Sequence, residues 1–418
     1  MVRIVALTLG GAFLVFLAGS CSSKKPQPPR PDAAAPRAKV TAEELARAVQ
    51  AENALAIELF KELRAGEGSF AFCPPSIAAT LAVAYAGAGG ETAEELARVL
   101  HVRDLERARA HAALGMLGAK LAQSSDDVQL EMATALWAQS GYRFKPEFLQ
   151  TARDSYDASV NEADFKSDAA AAQERIDRWV KKHTHDKIQH LSTELDADTR
   201  LVVTNAVYFL GRWLSPFKKE LTQDAPFHTT DDREAVVPMM QQHDELRYAE
   251  NDALQVLELP YASGELSMLV LLPRDPKGLA AIEEALPDKL EVWLEKLDTT
   301  KVEIFFPRFN VEKVFDLREA IGRLGAPAMF NHVAADFSNA YVADPSNPGL
   351  YISALAHQVV VDVDERGTEA AAVTELVAKA KEAVLKAPPV FRADHPFLFL
   401  VRDGRQGTIL FIGRFAGP

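Results

Sequence analysis

One segment near the C-terminal end constrains the fold of this chain more than any other. It follows a β-branched strand pattern, Val359–Val363, and it precedes the paired prolines Pro388 and Pro389. Between these points the chain is rich in small residues. Long connections between strands are uncommon unless they are functional or disordered. The segment 367–390 could therefore bridge a large gap at the protein surface.

The same segment carries the pattern of a half-buried strand. With a period of two, one face would hold only small or apolar side chains, and the other would hold every charge. The first face comprises Thr368, Ala370, Ala372, Thr374, Leu376, Ala378 and Ala380. The second face comprises Glu369, Ala371, Val373, Glu375, Val377, Lys379 and Lys381. A surface helix is the alternative, because Ala, Glu and Lys are good helix formers.

The remaining elements predict an α+β domain with sizeable sheets, since helical patterns dominate the first half and strand patterns the second. A capping box at Thr41 and Glu44 begins the first helix, which runs to about Leu63. Further helices are predicted at 76–86, 91–100, 169–182 and 315–324. Strands are predicted at 128–138, 201–209, 253–260, 266–273, 301–309, 359–363, 397–401 and 408–415.

Charge and motif content exclude several classes of function. The formal net charge of -13 argues against a nucleic-acid partner, because such proteins need clustered positive charge. His183, His185 and His190 lie among lysines that would repel a cation, and their spacing is not a zinc pattern. We interpret them as a solvated helix end. No HExxH, GxSxG or CxxC motif occurs. We therefore expect no metal, no cofactor and no enzymatic activity.

Residues 1–20 resemble a bacterial lipoprotein signal peptide. Arg3 precedes an uncharged stretch that is too short for a membrane span of about 20 residues, and small residues then lead to Cys21. The resemblance implies a lipid on the Cys21 thiol, a membrane anchor, and an extracytoplasmic location at the outer membrane or cell surface. Plain secretion is the alternative. Residues 21–40 cannot bury a core, so we predict a disordered tether before a folded domain at 41–418.

The chain has two cysteines, Cys21 and Cys73. If Cys21 carries a lipid, Cys73 has no internal partner, so we expect no disulfide. Its apolar surroundings predict a small buried residue.

Several motifs resemble the serpin family and occur in serpin order. The segment 367–372 resembles the hinge of the reactive-centre loop, and 391–399 resembles the signature that follows it. The segment 205–213 looks like the strand that enters the breach, and 72–77 looks like the shutter. The resemblance implies a serpin fold with a large central mixed sheet, further β-sheets, about eight to nine helices and an exposed reactive-centre loop at about 365–390.

The resemblance also implies a function. In the family, a serine or cysteine protease attacks the loop and forms a covalent acyl complex, and the freed strand then inserts into the main sheet. We therefore expect a monomeric suicide-substrate inhibitor whose partner is its target protease. A non-inhibitory serpin that acts as a binding module is the alternative. The hinge favours inhibition because, apart from outward-facing Glu369, residues Gly367 to Thr374 include no bulky, charged or proline side chain.

Residue roles follow from the resemblance position by position. The hinge matches Glu365, Gly367, Thr368, Glu369, Ala370, Ala371 and Ala372. The breach and shutter match Arg308, Trp213, Asn205, Ser76 and His357. Arg308 and Glu365 correspond to the family's hinge ion pair. The family usually has Ser where this chain has Cys73, a departure that weakens one polar contact of the shutter.

Family spacing places the reactive bond between Lys381 and Glu382. A lysine before the bond implies a trypsin-like target, whose pocket carries a carboxylate. Glu382 is unfavourable beyond the bond, and the segment that follows is slightly long for the family. The alternatives are Lys379, Ala380 and Lys386, of which Ala380 would suit an elastase-like protease.

Overall fold

Eight α-helices and fifteen strands form the part of the chain that the computed structural model describes. The described residues are 39–66, 68–122, 127–191, 193–230, 233–345, 349–368 and 387–418. The helices are α1 (Ala42–Leu63), α2 (Pro74–Gly87), α3 (Gly90–Val99), α4 (Arg107–Leu121), α5 (Pro146–Tyr156), α6 (Phe165–His183), α7 (Leu279–Glu295) and α8 (Arg318–Arg323). No helix within these ranges is long and apolar enough to cross a membrane.

The strands alternate with these helices and then dominate the second half of the chain. They are β1 (Phe70–Phe72), β2 (Val128–Gln139), β3 (Ser159–Ala163), β4 (Leu201–Arg212), β5 (Gln223–His228), β6 (Glu234–Glu250), β7 (Leu254–Pro260), β8 (Leu266–Pro273), β9 (Asp298–Pro307), β10 (Phe309–Asp316), β11 (Ile352–Val363), β12 (Gly367–Thr368), β13 (Val390–Arg392), β14 (Phe397–Asp403) and β15 (Ile409–Phe415).

The first helix begins as its sequence predicts. Thr41 Oγ1 accepts the backbone N–H of Glu44 at 3.2 Å, and Glu44 Oε2 accepts that of Thr41 at 2.8 Å. This capping box satisfies two N–H groups that the first turn leaves without partners. The predicted helix at 315–324 needs correction, because Phe315 and Asp316 end strand β10 and the helix α8 begins only at Arg318.

One sheet, here called the main sheet, is mixed and contains six strands in the order β10-β11-β4-β2-β3, with β12 beside β4. β4 pairs parallel to β11 and antiparallel to β2. α2 packs against β2 and β4, and α6 packs against the same two strands. Because alternate residues of a strand point to opposite faces, the main sheet lies between these two helices.

The other sheet, here called the second sheet, contains nine strands in the order β1-β15-β14-β8-β7-β6-β9-β13, with β5 on β6. The strands predicted at 253–260 and 266–273 pair antiparallel as β7 and β8, and those predicted at 397–401 and 408–415 pair antiparallel as β14 and β15. Strands β14 and β15 are almost wholly buried and contribute to an aromatic cluster with Phe306 and Phe309. β13 returns the chain to this sheet directly after residues 387–389.

Candidate functional site

The chain that leaves β11 turns back into the main sheet. Asp364 N–H donates to Gly367 O at 2.7 Å and forms an antiparallel bridge. Gly367 and Thr368 then pair antiparallel with Arg212 and Gly211 of β4. The two-residue strand β12 therefore enters between β4 and β11. Gly367 therefore does not belong to the exposed loop predicted at about 365–390, because it is buried and paired in the sheet.

Below β12, the strands β4 and β11 pair directly and form a seam. Their register runs from Ile352 opposite Leu201 to Val360 opposite Tyr208. A strand that continued β12 would have to separate them along this seam.

Gly367 occupies a position that no other residue fits. Its φ is +129°, in a region that residues with a Cβ rarely adopt. A Cβ at this position would lie 2.1 Å from the carbonyl oxygen of Gly211. The close approach of the two backbones explains why the hinge begins with glycine.

Trp213, which directly follows β4, holds the turn that precedes β12. Its backbone N–H donates to Arg366 O at 2.8 Å, and its indole Nε1 donates to Asp364 O at 3.0 Å. The indole stacks on the ring of Tyr261, with 4.7 Å between centroids and 12° between planes. Trp213 thus couples the hinge turn to the hydrophobic core.

Glu365 lies in the same turn and is 1% exposed. Its carboxylate accepts a hydrogen bond from Thr222 Oγ1 at 2.7 Å and pairs with the Arg308 guanidinium. Burial opposes ionisation of this carboxyl, but the hydrogen bonds from Arg308 and Thr222 lower its pKa below the ordinary value. The Arg308–Glu365 ion pair therefore fastens the turn to the end of β9 in the second sheet. Thr222 is a further partner of Glu365 that the sequence did not predict.

A buried hydrogen-bond network lies along the seam, farther from β12. Asn205 of β4 and His357 of β11 are opposite each other in the register, and His357 Nδ1 lies 2.6 Å from Asn205 Oδ1. Asn205 Nδ2 donates to Ser76 Oγ of α2 at 2.6 Å and to Thr134 Oγ1 of β2 at 3.1 Å. The network thus joins both strands of the seam to each other and to α2. Thr134 was not predicted, because no motif marks it.

The protonation state of His357 follows from its partners. Its Nε2 lies 3.1 Å from the backbone N of Cys73, which can only donate. Nε2 is therefore the acceptor, and Nδ1 carries the proton and donates to Asn205. Burial lowers the pKa of His357 to about 3, so the ring is neutral at physiological pH.

Cys73 enters this network through its backbone. Its thiol is buried and free, and its Sγ lies 4.0 Å from Met132 Sδ. Burial raises the pKa of the thiol, which makes it unreactive. Cys73, which stands where the family usually has Ser, therefore supplies a sulfur contact to Met132 and a backbone donor to His357.

The three histidines near the end of α6 have partners on the main sheet or on α6. The ring of His183 contacts that of Trp179, with 4.5 Å between centroids and 38° between planes, and His190 Nδ1 lies 3.3 Å from Asp177 Oδ2. His185 leaves the helix and contacts the main sheet. His185 and His190 are exposed, as the prediction of a solvated helix end requires, whereas His183 is partly buried.

We expect the free energy of unfolding to fall as the pH falls from about 6.5 toward 3. In this window the unfolded chain binds a proton at His357 that the folded chain does not bind. For this one group the loss is up to about 1.4 kcal/mol per pH unit. His111, whose pKa burial lowers to about 4, adds a loss of the same sign. Denaturant unfolding at a series of pH values measures the slope.

The variant His357→Gln should make this pH dependence shallower by about one proton. A matched control is His243→Gln, since His243 is an exposed histidine on β6. It should leave the slope unchanged. The neutral, buried state of His357 is contradicted if its variant keeps the full slope.

Other predicted site residues lie outside the described part of the chain. They are Cys21, Glu369, Ala370, Ala371, Ala372, Lys379, Ala380, Lys381, Glu382 and Lys386.

Comparison with known proteins identifies the family of this chain. Residues 50–418 match the model of a family described as Serpin (serine protease inhibitor). The leukocyte elastase inhibitor of Homo sapiens is 36% identical over 381 residues, which cover 88% of this chain and 98% of the relative. An uncharacterized serpin-like protein of Thermococcus kodakarensis is 36% identical over 371 residues, which cover 88% of this chain and 85% of the relative.

A solved structure of a serpin from the insect Tenebrio molitor has a TM-score of 0.80 and 29% identity, and the match covers 91% of this chain and 100% of that chain. The sheet order and the returning strand β12 define an α+β protein whose mixed sheet includes two residues that follow the turn after β11. With the family match over most of its length, the chain belongs to the serpin family. The predicted fold is confirmed.

Proposed function

We propose that this serpin is a suicide-substrate inhibitor of serine proteases, and secondarily of cysteine proteases, that acts by inserting its cleaved loop between β4 and β11. The observation that carries the proposal is the position of β12, which pairs with β4 and bridges to Asp364 at the end of β11. A strand that has already entered the seam needs only to be lengthened. Cleavage of the segment that follows would supply the free end.

The registers of the two neighbours support a continuous insertion. Gly367 lies opposite both Arg212 and Asp364, and each following residue would move one position back along both strands. Thr374 would then lie opposite Asn205 on one side and His357 on the other. These two residues already face each other in the seam, so both neighbours accept the same strand register.

The alternation of the segment fits this register. Thr374 and the other small or apolar positions would point to the face of Asn205 and α2, which is buried. The face with Glu369, Glu375 and Lys379 would point toward α6. A new central strand makes about a dozen ladder hydrogen bonds, each worth about 1 kcal/mol net, and buries the apolar face. The intact protein would thus be kinetically trapped.

The chemistry begins as in ordinary proteolysis. The protease serine Oγ bonds to the carbonyl carbon of Lys381, and the peptide bond breaks as Glu382 leaves with a new amino group. About fourteen inserted residues at about 3.3 Å each would carry the acylated protease roughly 45 Å. This pull distorts the oxyanion hole and the triad of the protease, so that water cannot release the ester.

The target class depends on the reactive bond. Lys381 suits a trypsin-like pocket, as do the alternatives Lys379 and Lys386. Ala380 would suit an elastase-like pocket, and one relative carries the name leukocyte elastase inhibitor.

Incubation with trypsin, elastase, subtilisin and papain, followed by denaturing gels and mass spectrometry, tests the proposal. We expect a gel-stable adduct with trypsin and a released peptide that begins at Glu382. A released peptide that begins elsewhere would move the reactive bond to Lys379, Ala380 or Lys386. Cleavage of the loop by every protease without any adduct would contradict inhibition and favour a non-inhibitory binding module.

We also propose that a lipid on Cys21 anchors the protein on the outer side of a bacterial membrane. The support is the order of Arg3, an uncharged stretch, small residues and Cys21. Cells fed a labelled fatty acid should incorporate it into the wild-type chain and not into Cys21→Ser. Equal labelling of both chains would rule out this site, and no labelling of either would favour secretion.

A further inference from the structure

The segment that follows α6 crosses the seam at the end of the seam nearest β12. The ring of His185 lies 4.1 Å from the ring of Tyr208 in β4, measured between centroids, and its Nε2 lies 3.2 Å from Glu131 Oε2 in β2. Lys187 Nζ lies 3.4 Å from Asp362 Oδ2 in β11. One short segment therefore touches three neighbouring strands of the main sheet.

These contacts lie where the main sheet would begin to part. Tyr208 opposite Val360 is the last pair that β4 and β11 form before β12 enters between them. On the same face, a separate apolar cluster joins α6 and the segment after it to both strands of the seam. It includes Ile176, Ile188, Leu191, Val202, Ala356 and Val360. Opening of the seam would have to break these contacts.

The backbone of the segment is held in an unfavourable conformation. His185 and Asp186 have φ angles of 48° and 64°, in the left-handed region that residues with a Cβ rarely adopt. Such conformations persist only where the surrounding contacts determine them. Two backbone hydrogen bonds fix this turn at the end of α6, from Asp186 N–H to Lys181 O and from Lys187 N–H to Thr184 O, both at 2.9 Å. The turn places His185 and Lys187 against the strands.

The titratable and charged groups around His185 come from every element that packs against it. They belong to Glu131 of β2, Tyr208 of β4, Asp362 of β11, and Lys181, Lys182, His183, Asp186 and Lys187 of its own segment. Histidine is the side chain whose charge most readily changes between pH 5 and 8.

We infer that residues 185–191 form a clasp that slows the opening of the seam, and that protonation of His185 tightens it. The inference rests on the proposed function, because the clasp would govern the rate of the same insertion. A protonated ring is attracted to the Glu131 carboxylate and to the face of Tyr208. A neutral ring keeps only a hydrogen bond and a tilted ring contact. The Lys187–Asp362 pair holds the seam independently of this proton.

Peptide annealing measures seam opening without any protease. A synthetic peptide with the sequence of residues 368–380 is added to the intact full-length chain, and its uptake is followed on native gels. Its carboxylates and lysine keep their charges between pH 6 and 8. A protein that trapped no protease could still take up the peptide, so the clasp and the inhibitory function fail in separate experiments.

The informative quantity is the ratio of variant to wild-type annealing rates. His185→Asn removes the titrating ring and keeps a residue that tolerates the left-handed region. It should speed annealing about threefold at pH 6, as expected for loss of a surface ion pair, and much less at pH 8. Lys187→Gln should speed annealing by a similar factor at both pH values.

The control is His243→Asn, because His243 is an exposed histidine that pairs with Glu303 on the second sheet, with 3.5 Å between Nε2 and Oε1. It should leave the rates unchanged at both pH values. An equal effect of His185→Asn at pH 6 and pH 8 would overturn the role of the proton. Unchanged rates in both His185→Asn and Lys187→Gln would overturn the clasp itself.

Discussion

Thr368→Arg should convert this serpin from an inhibitor into a substrate. The backbone of Thr368 already pairs with Gly211, at the point where the strand enters the seam. The side of the sheet on which Gly211 lies carries the buried rings of Phe209 and Tyr261. A guanidinium that entered there would lose its water without gaining a partner, at a cost of several kcal/mol. Insertion would then be slower than hydrolysis of the acyl-enzyme.

The measurement is the yield of gel-stable adduct with the protease that the wild type traps. We expect the yield to fall at least about tenfold while loop cleavage continues, since each 1.4 kcal/mol changes a rate tenfold. Glu369→Arg is the matched control, because it places the same side chain on the opposite, charged face of the segment. It should retain most of the adduct. Wild-type yield from Thr368→Arg would show that insertion is not what traps the protease.

Asn205→Leu should strongly destabilise the native state. Asn205 is 1% exposed, and its amide contacts Ser76, Thr134 and His357. Leucine has the same branched heavy-atom skeleton but would leave several buried polar groups without partners, each at about 1–3 kcal/mol. We expect a loss of roughly 3–5 kcal/mol in the free energy of unfolding. Denaturant unfolding measures it, and native gels detect any conversion to aggregates.

Asn310→Leu is the control for this change. Asn310 lies in β10 of the same sheet and is exposed, so the substitution should alter stability by less than about 0.5 kcal/mol. If Asn205→Leu proved as mild as the control, the network would not be what closes the seam.

Sequence patterns predicted the elements that have regular periods or clear end signals. The helix α1 has a capping box and a long apolar period, and the hairpin of β7 and β8 has a short turn. The pattern missed α4, whose apolar face is interrupted by glycines at 115 and 118. It also missed β6, in which buried and exposed residues follow no strict alternation.

The site could be predicted only in part, because its members are far apart in the chain. Ser76, Asn205 and His357 come from three elements, and only the family resemblance brought them together before the structure did. The resemblance did not include Thr134 or Tyr261, which carry no motif. Contacts of this kind depend on how strands and helices pack, and no local pattern encodes that packing.

Thermal unfolding of cleaved and intact chains shows whether the severed segment enters the seam. Chains cleaved within 369–386 should unfold at a temperature roughly 20 °C above that of intact chains, since about a dozen new strand hydrogen bonds and a buried face are gained. Hydrogen exchange should at the same time protect residues beyond Thr368. If cleaved chains unfold at the same temperature as intact ones, and those residues exchange freely, the severed segment does not insert between β4 and β11.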